Sequence, residues 1–417
     1  MLKFFSPFRW LRLITLVLLF TSCHSQQTDF QIIDMDSPTG SIDLKISDLF
    51  SDITIVPLET RDDVLLTTAG TSYIVTNHYI LARTRDNLLQ FDRNGMFIRT
   101  LANRGGGPNE FNNILNLIVD DEREILYYSQ LNNPAITRID LKSGAFLEAL
   151  HIELPSYSVQ EIDSKGNIYG FSNSNVIAIR MDGSTPKMED SLSLVFSYHP
   201  SDQRLTTYYG SHASTSGFRG QSMYRQDDHI FFLSFPYSDT LFSIKEDKIV
   251  PQYIVKLKNL MTDDFSQGGA SLRITLCSVQ GTIISKTLSQ VSITQSGGEI
   301  SSISITNSGV AYLWLSKSLE LKTIKSITID PIAITYEMDD YIKLMEERRS
   351  SELKISPFPS VSGLWGYYAV EAYNMMELMD EALKNNQLST AQRKVFEELS
   401  AQIDDDSNPV LIIGKIK

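Results

Sequence analysis

Residues suited to chemistry gather in two places in this 417-residue chain. Arg104-Gly105-Gly106-Gly107-Pro108-Asn109-Glu110-Phe111 combines a cation, a carboxylate and three glycines. Such glycines free backbone amides to turn toward an anion, and Arg104 adds charge. No Gly-Lys-Ser/Thr follows, so it is not a phosphate loop of the nucleotide-binding kind. A tight turn, with Pro108 fixing the backbone ahead of Phe111, uses the same residues. The second place is Tyr198 to Tyr224, a long polar segment in which Tyr208, Tyr209 and Phe218 stand near Arg204, Arg219 and His212. Exposed aromatics there suit stacking on sugars or peptides; aromatics folded back onto the sheet are the competing reading. Arg104, Glu110, Arg204, Tyr208, Tyr209, Phe218 and Arg219 therefore form the candidate binding surface.

Other chemistry is poorly served. No Gly-x-Ser-x-Gly occurs, and Cys277 lies in an apolar stretch where an inert thiol is expected. Acid pairs stand at Asp62-Asp63, Asp120-Asp121, Asp227-Asp228 and Asp263-Asp264, with a triplet at Asp404-Asp405-Asp406. None has the Asp-x-Asp-x-Asp-Gly spacing of a calcium loop, and most sit where solvated turns need polar residues. The six histidines never occur as His-x-His or His-x-x-x-His, so no metal is expected. No cofactor is implied.

The N-terminus says where the chain resides. Lys3, Arg9 and Arg12 precede an apolar run, Leu13 to Phe20, that is shorter than the about 20 residues a membrane span needs. Thr21-Ser22-Cys23 follows, which resembles a bacterial lipoprotein signal cut before a lipid-bearing Cys23. Residues 1–22 carry three positive charges and no negative one, so their removal takes the net charge from −13 to −16. That acidity argues against nucleic acid as a partner. With Cys23 lipidated, Cys277 has no partner for an intrachain disulfide. The expectation is an exported, membrane-anchored lipoprotein of the outer membrane, with residues 23–50 as tether and lead-in.

These residues need a scaffold, and its period is legible. Short strands bounded by turn residues run from Ile53 to about Leu257. Asn77-His78-Tyr79-Ile80-Leu81 leads to Phe91-Asp92-Arg93-Asn94-Gly95. Asp120 to Tyr127 leads to Ile139-Asp140-Leu141-Lys142-Ser143-Gly144, and Asp163 to Tyr169 leads to Arg180-Met181-Asp182-Gly183. Asp227 to Phe232 leads to Phe242 to Asp247. Asp92, Asp140 and Asp182 are 48 and 42 residues apart. Four strands at this period mark propeller blades, because one sheet cannot bury both its faces and blades stack to do so.

Several segments resemble a family of bacterial lipoproteins described as six-bladed β-propellers, related in style to NHL-repeat propellers. They are Ile55-Val56-Pro57-Leu58-Glu59-Thr60, Arg104 to Phe111, Pro236 to Phe242 and Asn408-Pro409-Val410-Leu411. The resemblance implies fold and location more than activity. The expectation is an all-β, six-bladed propeller over residues 51–417 with a small C-terminal helical hairpin. Residues 265–335 lose the aspartate turns and are expected to supply the fifth blade and part of the sixth, either as a diverged stretch or through a local change of frame. Within residues 336–403, Tyr341 to Arg349 is predicted as a short helix. Ala372 to Lys384 is another, and Ser389-x-x-Gln392 opens a third with Val395, Phe396 and Leu399 on one face. The last strand, Pro409 to Lys417, is expected to pair with Ile53–Val56, placing anchor and ring closure at one edge.

Function follows less directly. A recognition module for a glycan, peptide or envelope protein is the leading expectation. An envelope hydrolase or lyase, with acids and Arg at the channel, is the alternative, and would show acids with shifted pKa values there. A structural role in an envelope assembly would show an apolar patch on the helical hairpin.

Overall fold

The computed structural model describes residues 31–417 except 132, 134, 153, 155–156, 175–191, 210–221, 227–228, 234–239, 246–247, 259–268, 279, 297–298, 348 and 385–387. Six antiparallel sheets form the blades of a β-propeller. Blade 1 is Ser72–Val75, Tyr79–Arg83, Asn87–Asp92 and Phe97–Asn103; blade 2 is Ile114–Asp120, Ile125–Gln130, Ala135–Asp140 and Phe146–His151. Blade 3 is Tyr157–Ile162, Ile168–Ser174, Leu192–His199 and Arg204–Tyr209; blade 4 is Ser222–Gln226, His229–Leu233, Thr240–Lys245 and Lys248–Lys256. Blade 5 is Gly269–Cys277, Gly281–Ser296, Glu299–Ser316 and Leu321–Ile329. Blade 6 takes Ser360–Ser362, Trp365–Val370 and Val410–Ile416 from the C-terminal end and Phe50–Pro57 from the N-terminal end.

Successive first strands approach one another around the axis, so they are the innermost. Antiparallel pairing then sorts the connections. Turns between strands one and two, and three and four, lie on one face of the ring, the turn face. Turns between two and three, and links between blades, lie on the other, the connection face.

Middle strands are buried on both sides, which is why they read as continuous apolar runs. In Tyr79–Arg83, Ile80 and Ala82 pack toward Trp365, Tyr367, Leu411 and Ile413 of blade 6. Leu81 between them packs toward Leu126 and Tyr128 of blade 2. The repeated aspartates close turns: Asp92 Oδ1 accepts from Asn94 N at 2.8 Å and Met96 N at 2.9 Å. Asp140 Oδ1 accepts from Ser143 N at 2.7 Å, and Asp163 Oδ1 from Lys165 N at 2.9 Å. Asp182 lies outside the described residues.

The fifth blade differs from expectation. Its second and third strands are 16 and 18 residues long, and this hairpin absorbs the low-charge sequence into one blade. None of it enters blade 6, whose C-terminal strands begin at Ser360.

Ring closure is as expected, with Leu411 opposite Val56 and Ile413 opposite Thr54. The chain's entry point is elsewhere. Gln31–Asp34 adds a parallel strand to the outer edge of blade 4, and Ser41–Lys45 adds one to blade 5. Ile33, Met35, Leu44, Ile46, Leu49 and Phe50 along this path are all buried. The segment before blade 1 therefore belts three blades, and its first described residue lies two blades away from the closing one.

The helices Met338–Glu346, Ala372–Lys384 and Thr390–Ser400 form a minor insertion. The Ser389 capping box is present, with Gln392 N donating to Ser389 Oγ at 3.3 Å. Met375, Leu378, Met379, Phe396 and Leu399 pack against blades 5 and 6. Val395 is 42% exposed and off the buried face. Among the described residues no helix is long and apolar enough to cross a membrane.

Candidate functional site

The sequence-derived surface is divided by the fold. Arg104 to Phe111 links blades 1 and 2 on the connection face. Its glycine cradle is filled by its own acid: Glu110 Oε2 accepts from Gly107 N at 2.6 Å, and a Cβ on Gly105 would lie 2.0 Å from that oxygen. Arg104 reaches Asp86 at 3.8 Å instead of Glu110. Arg204 opens the outer strand of blade 3 at the turn face, 3.3 Å from Asp202. The backbone of Tyr208 and Tyr209 continues that strand, opposite Val195 and Leu194. Cys23, Phe218 and Arg219 lie outside the described residues. Arg104 and Glu110 thus stand on the opposite face from Arg204.

A different cluster assembles where the innermost strands end, at the turn-face mouth of the channel. Blade 1 contributes Asn77 and His78 from its first turn and Arg93 from its second. Blade 2 contributes Asp121 and Glu124, and blade 6 contributes Trp365 at the start of its second strand. The Arg93 guanidinium lies over the Trp365 ring, 4.2 Å from its centroid. Arg93 Nη1 and Trp365 Nε1 are both buried and neither has a hydrogen-bond partner. The indole N–H is turned toward the Asp121 carboxylate without closing a bond to it. A buried donor left unpaired costs about 1–3 kcal/mol.

Charges around this corner are sorted. Asp121 accepts from Asn77 N with both oxygens, at 2.9 and 3.0 Å. Burial raises the Asp121 pKa, while the Asn77 amide and His78 draw it back. Burial lowers that of Arg93, which Asp121 partly offsets. Glu124 is already engaged, 3.4 Å from His78 Nε2 and 3.6 Å from Lys142 Nζ. Leu364, 41% exposed, is in the turn just before Trp365; Val361, 40% exposed, is paired with Gly366 and so faces away from the stack.

Further round the mouth, Glu161 sits on the innermost strand of blade 3. Burial pushes its pKa up to about 7, against the pull of Arg225 and the Ile162 amide. It keeps some accessible surface although it lies deep in the ring, as a residue bordering the channel does. Arg225 of blade 4 donates through Nη1 to Ile162 O at 2.9 Å. Among the described residues no group of three His, Cys, Asp or Glu side chains is placed to hold a metal ion.

Sequence reasoning passed over Arg93, Glu161, Arg225 and Trp365. Asp121 was noted only within an acid pair. No local pattern marks Arg93 and Trp365 as neighbours, since ring closure brings them together from opposite ends of the fold.

Architecture and mouth define the class: a six-bladed propeller with an unpaired polar corner at one end of its channel. The chain belongs to the family described as a domain of unknown function, DUF4934, which it matches over residues 30–415. No curated protein matches it. Among solved structures, it is similar to a Bacteroides fragilis protein described as exported, at 14% identity and a TM-score of 0.55, covering 93% of this chain and 100% of that one. It also aligns with a member of the DUF4221 family from Bacteroides vulgatus at 11% identity and a TM-score of 0.41, covering 88% and 98%. Virginiamycin B lyase from Staphylococcus aureus aligns at 10% identity and a TM-score of 0.40, covering 88% and 99%. At such identities the first likeness speaks for fold alone, and the other two are too distant to carry an argument.

Proposed function

We propose that this protein is a recognition module of the cell envelope, lipid-anchored through Cys23 at the outer membrane, that binds a glycan, a peptide or an envelope protein at the turn-face mouth. The carrying observation is the Arg93–Trp365 stack, with its two unpaired buried donors, next to the exposed apolar Leu364. Apolar surface joined to a few unpaired polar groups is the usual composition of a ligand site. The lipoprotein part rests on Lys3 to Cys23, and the NHL-like kinship on the repeated turns. Export is in keeping with how the Bacteroides fragilis protein is described.

A thermal-shift panel of glycans, peptides and metals on the full-length protein tests the binding reading. A shift with one ligand class supports it, and a flat panel overturns it. Cys23→Ser should release the protein from the membrane; continued retention sinks the anchor.

One observation favours the enzymatic alternative, a hydrolase or lyase. Glu161, held protonated toward neutral pH beside Arg225, has the character of a general acid. Turnover that is lost in Glu161→Gln while binding survives would decide for it.

A further inference from the structure

Arg93 is the least explained side chain at the mouth. Among the described residues it makes no hydrogen bond or ion pair, although a guanidinium carries five donors. With the guanidinium carbon over the indole, its N–H groups are the part left to bond. Trp365, 8% exposed, adds a second unpaired N–H in the same corner. Donors without acceptors are costly to a fold, so the missing partner is an acceptor.

We propose that this corner binds a carboxylate of a ligand, held by the N–H groups of Arg93 while the ligand's apolar body lies against Leu364. The proposal deepens the binding reading and rests on it. The surrounding charges permit a carboxylate. Glu124 is paired with Lys142 and faces His78. Asp121 is surrounded by the Asn77 amide, His78, Glu124, Trp365 and Arg93. Burial weakens its hold on charge, so it opposes an incoming anion less than a solvated acid would. Arg93 provides the planar fork that matches a carboxylate, which a lysine would not.

Two sources could supply such a group, an acidic sugar or a peptide. Calorimetric titration of the full-length protein with two matched pairs separates them. One pair is trigalacturonate and its uncharged galactose counterpart; the other is a short apolar peptide with a free C-terminal carboxylate and its amide. In at least one pair the charged member should bind tenfold or more tightly than the neutral one. That preference should weaken as pH rises and Asp121 ionises. Arg93→Met should abolish it. Arg93→Lys, which keeps the charge but not the fork, should reduce it with the fold intact, and serves if the Met variant does not fold. Equal affinity within both pairs, no binding by either, or an undiminished preference in a folded Arg93 variant overturns the proposal. If other ligands still shift melting in the panel above, the binding reading survives that failure.

Discussion

Two polar clusters occupy the seam where blade 6 meets blade 1, and they are built on opposite terms. At Asn408, the side-chain amide and the backbone N–H are all paired. Its Nδ2 donates to Glu59 O at 2.7 Å and Val64 O at 2.8 Å, its Oδ1 accepts from Leu66 N at 2.8 Å, and its amide donates to Thr60 Oγ1 at 2.7 Å. Asn408 is 2% exposed. Around Arg93 and Trp365, the donors are left over. A polar group that closes the ring finds its partners inside the chain. A polar corner with donors to spare, at the mouth of a channel, suits a partner from outside.

Removing Asn408 should have the largest effect. Asn408→Ala strips three side-chain bonds and orphans the buried Leu66 N–H, with a loss of about 3 kcal/mol at roughly 1 kcal/mol per bond. Urea unfolding would read it. A loss under about 1 kcal/mol would remove the contrast between the clusters.

The next test concerns Glu161. Its folded pKa of about 7 stands above the ordinary 4.5, so the folded state holds the proton longer than the unfolded one. Its contribution is therefore most favourable below pH 4.5 and declines as pH rises to about 7, then levels. The full shift is worth at most about 3 kcal/mol. Glu161→Gln should flatten the fall in stability between pH 5 and 8, read from urea midpoints. Asp121 is shifted in the same direction and contributes a slope of the same sign in both proteins. An unchanged profile would mean that Glu161 is solvated.

A smaller effect is expected on the opposite face. Glu110→Gln keeps the shape of the Arg104 loop and the oxygen bonded by Gly107 but loses the charge on that bond. We expect a cost of about 1 kcal/mol, as for a charge-assisted bond near the surface. Ligand binding at the mouth should not change, since calorimetry reads the other end of the channel.

The sequence disclosed the features that repeat or lie close together in the chain. Asp92 and Asp140 announced the blade period because each caps a turn within four residues of itself. The Ser389 capping box and the closing strand were legible for the same local reason. So were Ile55 to Thr60 and Asn408 to Leu411 as motifs, though only the fold shows that they meet. Arg104, the most conspicuous cation, was legible as a turn, and its glycines wrap a carboxylate three residues beyond them. The mouth was not legible. Arg93 sits in an ordinary Asp-Arg-Asn-Gly turn, and its neighbours arrive from blades 2 and 6 only when the ring shuts. The extent of blade 5 was also hidden, because a hairpin of two long strands carries no mark of where one blade should end.

The smallest effect carries the most weight for function. Arg93→Met keeps the apolar stem over Trp365 and loses the cation–π contact, worth about 0.5–2 kcal/mol. It also removes a half-buried charge with no bonded partner, which offsets that loss. We therefore expect stability to change by less than about 1 kcal/mol in the urea experiment that separates Asn408→Ala from wild type. Were Arg93→Met to cost as much as Asn408→Ala, Arg93 would be a second clasp of the seam and its unpaired donors an accident of packing. A near-silent change in stability, with loss of ligand preference, would mean that the fold tolerates the unpaired arginine and only recognition needs it.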